Sequence, residues 1–184
     1  MKLNIVSSNV RGLNDKDKKR IVKNQLLDWK ADIVCLQETK LEGDCQDHIN
    51  QIKGGRWTRF ATLEANGTRR RIIMMWDSRV WKSEVIIMMW DNRVWKGEVL
   101  HIGAYSLTCK FEALLQKFSC HITGVFAPNG KVERRLIWDE KGVVRGLLKG
   151  PSAICGDFGV CGLQLEKRNC NKRSSAMQEF TNFI

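Results

Sequence analysis

The chain of 184 residues has the length of one domain, is 43% hydrophobic and carries a net charge of +11, which suits a globular protein with its own core. No segment approaches the roughly 20 apolar residues of a membrane span, and MKLNIVSSNVRGL at the N-terminus lacks the apolar segment of a secretory signal. These features exclude a fibrous or membrane class and predict no membrane contact and a nuclear or cytoplasmic, not secreted, location.

The excess of positive charge favours a polyanionic partner, most simply nucleic acid, over a merely solvated basic surface. The basic residues are clustered, which supports a partner modestly. The clusters are Lys16 to Arg20, Arg69 to Arg71, Arg134 with Arg135, and Lys167 to Arg173.

The first 53 residues alternate apolar runs with one amphipathic run. LNIVSSNV (3–10) and DIVCLQET (32–39) have the length and composition of strands. Between them, residues 14–30 predict a helix capped by Asn14 or Asp15. A short helix is predicted within 42–53, closed by Gly54 and Gly55. The apolar stripe of the first helix is predicted to hold Ile21, Val22, Leu26 and Trp29.

Residues 57–126 are rich in strand-forming residues. After residue 126, a helix, a strand and a second helix are expected. The candidate strands are WTRFATLEA, two IIMMW runs, EVLHIGAYSLTCKF and SCHITGVF. Residues 132–148 predict a helix weakened by Gly142, residues 152–158 a buried strand, and residues 174–184 a serine-capped helix. No glycine or proline closes this last helix, so we expect a truncated domain.

A tandem repeat occupies the middle of the chain. IIMMWDSRVWKSEV (72–85) is followed directly by IIMMWDNRVWKGEV (86–99), and the two copies differ only at Ser78/Asn92 and Ser83/Gly97. Two copies are too few for a solenoid. Each unit reads as strand, turn and strand, so we interpret the repeat as one duplicated hairpin whose surplus copy is extruded from the fold.

The seven cysteines show no C-x-x-C spacing and are odd in number, which predicts a reducing compartment without a disulfide framework or zinc site. Four of them stand in apolar, strand-like runs, where cysteine usually acts as a small hydrophobe. These four are Cys35, Cys109, Cys120 and Cys155, whereas Cys45, Cys161 and Cys170 look more exposed.

Polar side chains follow three of the predicted strands at the points where the apolar runs end. Asn9 follows LNIVSS, Glu38 follows DIVCLQ and Asp157 follows AICG, while ITGVFAPN ends in Asn129. Strands that run side by side bring such ends to one rim of a sheet. Carboxylate and amide oxygens suit Mg²⁺, which retains waters and takes phosphate oxygens as further ligands. Each residue alone is typical of a turn or cap; the four in this order are more specific.

The segments SSNVRGL, LQETK, GVFAPN and GDFGV resemble the ordered motifs of the endonuclease/exonuclease/phosphatase superfamily. The text most resembles the apurinic/apyrimidinic-like endonuclease domain of plant non-LTR (LINE-type) retrotransposons. The resemblance covers 1–184 and implies one partial domain. The implied fold is α/β, a four-layer sandwich of two packed mixed sheets flanked by helices, incomplete at its C-terminus and carrying the duplicated hairpin.

The resemblance also implies roles for individual residues. Glu38 would be the principal Mg²⁺ ligand, with Asn9 beside it; Asp157 would orient or activate the attacking water, and Asn129 would contact the phosphate. The partner would be DNA, nicked to prime reverse transcription by a fused reverse transcriptase, and no small-molecule cofactor is implied. The residues expected to contact nucleic acid are Arg11, Lys40, Arg69, Arg70 and Arg71.

The chain departs from the family pattern at three places. Gly159 stands where the family has the Asn of G-D-F-N, Phe126 stands where it usually has Tyr, and the family's later S-D-H motif is not found in the sequence. These departures predict an impaired or inactive enzyme. The alternatives are a basic nucleic-acid-binding remnant without catalysis, a pseudogene product, and a phosphatase of the same superfamily.

Overall fold

A computed structural model describes residues 3–41, 45–53, 57–64, 85–127, 131–166 and 172–183. Within them the chain forms eight strands, four helices and a short 3₁₀ helix at Gln164–Glu166. The strands are β1 (Ile5–Asn9), β2 (Ile33–Gln37), β3 (Thr58–Glu64), β4 (Val85–Asp91), β5 (Trp95–Ile102), β6 (Ser106–Ala113), β7 (Ser119–Phe126) and β8 (Ser152–Asp157). The helices are α1 (Lys16–Asp28), α2 (Cys45–Ile52), α3 (Lys131–Leu147) and α4 (Ser175–Phe183).

The strands form two mixed sheets of four strands each. The first has the order β1-β2-β4-β3, with β1 and β2 parallel and the other pairs antiparallel. The second has the order β5-β6-β7-β8, in which only β7 and β8 are parallel among the described pairs. Each sheet therefore has one parallel pair, formed by β1 and β2 in the first sheet and by β7 and β8 in the second.

The alternation of side chains along β2 shows how the layers pack. Ile33 and Cys35 join a core between the two sheets, whereas Val34 and Leu36 face α1 and α2 on the outer side. A third cluster packs α3 and α4 against the second sheet around Trp138. Strands buried on both faces carry continuous apolar runs, and the result is the predicted four-layer α/β sandwich.

Helix α1 begins as predicted, but its buried stripe differs from the prediction. The Asp15 carboxylate accepts a hydrogen bond from the Lys18 N–H at 2.8 Å. Val22 and Leu26 are buried, whereas Ile21 is 54% and Trp29 51% exposed. Lys19 takes a buried position instead, and its ammonium donates to Gln51 Oε1 at 3.0 Å, so a long cationic side chain completes the stripe.

The second copy of the repeat (86–99) corrects the interpretation of the unit as a hairpin. Its first strand lies in β4 of the first sheet and its second strand in β5 of the second sheet. The turn between them is closed by the Val94 N–H, which donates to the Asp91 carbonyl at 3.2 Å. This copy is thus a crossing between sheets. The first copy, apart from Val85, lies outside the described residues.

One segment that was predicted as a single strand divides into two strands in the structure. EVLHIGAYSLTCKF divides into β5 and β6 around a turn in which the Gly103 N–H donates to the Ser106 carbonyl at 2.8 Å. The closing glycines Gly54 and Gly55 lie outside the described residues.

Among the helices described, none is both long and apolar enough to cross a membrane.

Candidate active site

The ends of three strands bring Asn9, Glu38 and Asp157 together at one rim. Asn9 is the last residue of β1, and Glu38 follows the last residue of its parallel neighbour β2. Asp157 is the last residue of β8, in the opposite sheet. The site therefore exists because the two sheets pack face to face, and no single sheet could assemble it.

The Asn9 amide links the two carboxylates directly. Its Nδ2 donates to Glu38 Oε1 at 2.5 Å and to Asp157 Oδ2 at 2.9 Å. Its Oδ1 accepts from the Arg11 N–H at 3.2 Å, and the second oxygen of Asp157 accepts from the Gly159 N–H at 2.9 Å. Both hydrogens of the amide are thus used, and the two carboxylates are fixed in orientation.

The backbone around Glu38 is locked to the loop after β1. The Val10, Gly12 and Leu13 N–H groups donate to the carbonyls of residues 37, 38 and 39 at 2.9, 2.6 and 2.8 Å. Glu38 itself has φ +52°, and Arg11 and Lys40 have φ +48°. Non-glycine residues in this region store on the order of 1–3 kcal/mol each, so the surrounding hydrogen bonds hold the backbone of these three residues in a costly conformation.

A buried polar network supports the rim from below, and the sequence reasoning assigned it no role. The Gln37 amide is 1% exposed and donates to Ser7 Oγ at 3.0 Å and to Cys35 Sγ at 3.1 Å. It ties the two parallel strands together one residue before Glu38. The sequence signal that could have revealed this network is a glutamine inside an apolar run, because a buried amide must find hydrogen-bond partners.

Gly156 allows β8 to reach the rim. Its φ is +141°, and a Cβ there would lie 1.9 Å from the Val125 carbonyl oxygen, so no other residue could keep this approach. Directly after it, the Asp157 carbonyl accepts from the Ala127 N–H at 2.7 Å. The glycine therefore sets the position of the Asp157 carboxylate.

The donor atoms at the rim fit a magnesium ion. The two carboxylates supply hard oxygen ligands of the kind Mg²⁺ prefers, whereas Asn9 presents its Nδ2 to them and orients them. The Glu38 side chain is 19% exposed, with Oε2 4.0 Å from the Lys40 ammonium. No group of three or more His, Cys, Asp or Glu side chains that could hold a metal occurs in the described part of the chain. The set would leave further positions for water and phosphate oxygens.

Arg11 and Lys40 are exposed and flank the rim, as the expectation of nucleic-acid contact requires. Asn129 and Arg69, Arg70 and Arg71 lie outside the described residues. Phe126, at the end of β7, pairs with Asp157 in the parallel ladder and packs partly into the inter-sheet core. Gly159 is exposed with φ +61°.

The histidines belong to other parts of the structure. His101 Nε2 lies 2.8 Å from Glu140 Oε1, which joins β5 to α3. His121 is buried in β7, and His48 is in α2.

No protein-family model and no curated protein matches this sequence. Solved structures do match. The endonuclease domain of TRAS1, a telomere-specific non-LTR retrotransposon, has a TM-score of 0.64 at 11% identity over 98% of this chain and 70% of that one. An AP endonuclease from Archaeoglobus fulgidus has 0.65 at 13% identity, covering 99% and 70%.

A sugar phosphatase is equally similar. The mannosyl-6-phosphatase Bt3783 of Bacteroides thetaiotaomicron has a TM-score of 0.63 at 13% identity, covering 98% of this chain and 70% of that one. Nucleases and phosphatases thus share this arrangement of sheets. The chain has the fold of the endonuclease/exonuclease/phosphatase family.

Proposed function

We propose that this chain is a LINE-type endonuclease domain whose family reaction is Mg²⁺-dependent hydrolysis of a DNA phosphodiester, in a copy with impaired catalysis. The observation that carries the proposal is the Asn9 amide held between Glu38 and Asp157. The arrangement unites three residues to which the resemblance gives nuclease roles, although they are distant in sequence. In the family, such a domain is fused to a reverse transcriptase.

Each residue at the rim has a distinct task in this proposal. Glu38 holds the metal, which when bound stabilises negative charge on the phosphate and the leaving oxygen. Asp157, fixed by Asn9 and by the Gly159 N–H, accepts the proton of the attacking water. Arg11 and Lys40, exposed beside the two carboxylates, neutralise the DNA backbone on either side of the scissile phosphate.

Impairment follows from what Gly159 and Phe126 lack. An asparagine at position 159 would add an amide donor two residues after Asp157, and a tyrosine at 126 would add a hydroxyl. Loss of one preorganised donor to a transition state typically costs about 10²–10³ in rate. Losses within one catalytic unit do not simply add, but both act in the same direction here.

The phosphatase alternative rests on the similarity to the mannosyl-6-phosphatase. The net charge of +11 favours a polyanion over a small phosphomonoester, because multiple phosphate contacts are what such a charge stabilises. A non-catalytic DNA-binding domain would keep the same charge and lose only turnover. These alternatives differ in substrate and in rate, and both can be measured.

The test is nicking of supercoiled plasmid with Mg²⁺, alongside hydrolysis of a sugar phosphate. We expect the unmodified chain to nick barely above background, and the Gly159→Asn/Phe126→Tyr variant to nick faster without reaching the rate of an intact family member. The left-handed backbone at Gly159 is one that asparagine tolerates.

Glu38→Ala in the restored background is the control and should return nicking to background. Strong nicking by the unmodified chain would contradict the impairment. Hydrolysis of the sugar phosphate, with no nicking by the restored variant, would contradict the assignment as an endonuclease.

A further inference from the structure

Strand β5 forms one edge of the second sheet. Among the described strands it pairs only with β6, and no described strand lies beyond it. It carries exposed apolar side chains at Val99 (41%), Leu100 (43%) and Ile102 (59%). An edge strand of eight residues with such side chains is a surface on which a further strand can pair. The strand that fits is determined by the backbone groups and charges that β5 presents.

The hydrogen bonds to β6 determine which backbone groups of β5 point outward. The Val94 carbonyl accepts from the Leu114 N–H at 3.0 Å. Bonded residues alternate along an antiparallel pair, and the register with β6 is constant over residues 95–99. The backbone groups that point away from β6 are therefore those of Trp95, Gly97 and Val99.

The two charged side chains of β5 have opposite signs and are poorly paired within the chain. Lys96 Nζ lies 3.7 Å from Glu112 Oε2, but the same carboxylate has a shorter contact with Lys110, at 2.6 Å. Lys110 is the ladder partner of Glu98, yet Glu98 forms no ion pair within 4.0 Å in the described part of the chain. The edge thus presents an unpaired carboxylate, and an ammonium whose partner is already neutralised.

We propose that β5 is a self-pairing edge that joins two copies of this chain through an antiparallel β5–β5 contact centred on Gly97. A twofold axis there places Lys96 of each copy opposite Glu98 of the other, so all four charges are paired. The same register pairs the outward backbone groups of Trp95 with those of Val99, and those of Gly97 with their own equivalents. None of these residues belongs to the rim, so the inference is independent of the proposed endonuclease activity.

The charges select both the occupant of the edge and the register. A foreign strand would have to carry one charge of each sign at this spacing, whereas a second copy carries them already. Moving the axis by one residue, to Lys96 or Glu98, would keep the backbone pairing but set two like charges opposite each other, which is destabilising. The bulge between Val99 and His101 ends the regular pairing. Because both copies use the same edge, the contact closes at a dimer.

Sedimentation velocity of the full chain measures the association over a range of micromolar protein concentrations, in a reducing buffer. At about 150 mM NaCl the Debye length of about 8 Å screens the repulsion between two copies of net charge +11. We expect a concentration-dependent shift from monomer to dimer, with no larger species. A chain that stays monomeric up to about 200 µM, beyond the range of even weak specific association, would overturn the proposal.

Two charge reversals test the register. Lys96→Glu sets carboxylates opposite each other on both sides of the axis, and Glu98→Lys sets ammonium groups there, so each variant alone should dimerise at least about tenfold more weakly. An equal mixture of the two variants should associate, because opposite charges then meet at both places. Lys149→Glu, an exposed residue before β8, makes the same change of net charge and should leave dimerisation intact. Unchanged association of the single variants, or none in the mixture, would overturn the register.

Amide hydrogen exchange followed by NMR needs no substitution and decides the question if a variant fails to fold. Raising the protein concentration should slow exchange at the outward amides of Trp95, Gly97 and Val99. Exchange at Lys96 and Glu98 should stay unchanged, because their N–H groups already bond to β6. Outward amides that are protected equally at the lowest concentration would show that another segment of the same chain covers the edge, and would contradict the proposal.

Discussion

At the scale of single residues, the site depends on one neutral amide serving two carboxylates. The Lys40 ammonium forms only a long ion pair with this centre, 4.0 Å from Glu38 Oε2. Two negative groups held on one donor repel each other, and in partial burial this repulsion is weakly screened. A divalent cation would offset this repulsion, and the arrangement therefore favours one.

Glu38→Gln separates these two effects. The amide oxygen can still accept from Asn9, but one negative charge is gone, so the melting temperature without metal should rise, corresponding to on the order of 1 kcal/mol. Stabilisation by millimolar Mg²⁺, expected for the unmodified chain because the ion binds the folded state, should disappear. The measurement is thermal unfolding with and without MgCl₂.

Glu98→Gln, which removes an exposed carboxylate from β5, is the matched control and should keep the response to Mg²⁺. A Glu38→Gln variant that is still stabilised by Mg²⁺ would show that the ion binds elsewhere on the chain.

At the scale of elements, the crossing between β4 and β5 depends on a glycine. A Cβ at Gly97 would lie 2.5 Å from the ring of Trp90, which is itself buried and packs edge-on against Phe111 at 5.4 Å. The equivalent residue of the first copy is Ser83. The second copy therefore carries the residue that fits beneath the tryptophan.

Deleting one copy or the other tests this explanation with two chains that differ at only two positions. We expect both the 72–85 and the 86–99 deletions to fold, since either leaves one complete crossing. The chain lacking 86–99 should be less stable by about 1–3 kcal/mol, the usual cost of overpacking, because it places serine under the tryptophan. Chemical denaturation of both chains gives the comparison.

Two substitutions in the chain lacking 72–85 identify which residue causes the difference in stability. Gly97→Ser should reproduce most of the loss, whereas Asn92→Ser, the other position of difference, should be nearly neutral. Equal stability of the two deletions would remove the explanation, and unfolding of both would mean that the two copies are structural parts of one fold.

The sequence predicted the positions of strands and helices better than it predicted which elements pair or pack together. Strand and helix positions follow from local periodicity, and Asn9, Glu38 and Asp157 were recognisable as polar ends of apolar runs. The division of the repeat between two sheets could not be read locally, since a tight turn has the same signature whether its strands pair with each other or not. The burial of Lys19 in place of Ile21 likewise depends on α2, a tertiary neighbour.

At the scale of the whole molecule, the exposed Arg11 and Lys40 place positive charge directly beside the rim. Their positions are set by the loops that also hold Asn9 and Glu38. A net charge of +11 produces a long-range field that attracts polyanions. Binding is therefore expected even where turnover is slow.

This binding should be weak, indifferent to sequence and strongly dependent on salt. Between about 50 and 200 mM NaCl the affinity for duplex DNA should fall by at least tenfold, because several counterions are released on contact. Fluorescence anisotropy with two unrelated duplexes measures both properties.

Arg11→Gln/Lys40→Gln should weaken binding and make the salt dependence shallower. Lys96→Gln, on the edge strand β5 where it faces Glu112, should change neither. Affinity that does not vary with salt would exclude an electrostatic surface.

The glycine under Trp90 also has a consequence for inheritance. Adjacent near-identical coding segments are prone to loss of one segment by replication slippage, and slippage itself has no preference for the copy that disappears. The two shortened proteins, however, should differ in stability. A chain that keeps glycine should retain the better-packed crossing, whereas a chain that keeps serine should be less stable. Wherever selection acts on stability, the Gly97 copy should be the one that survives in shortened lineages.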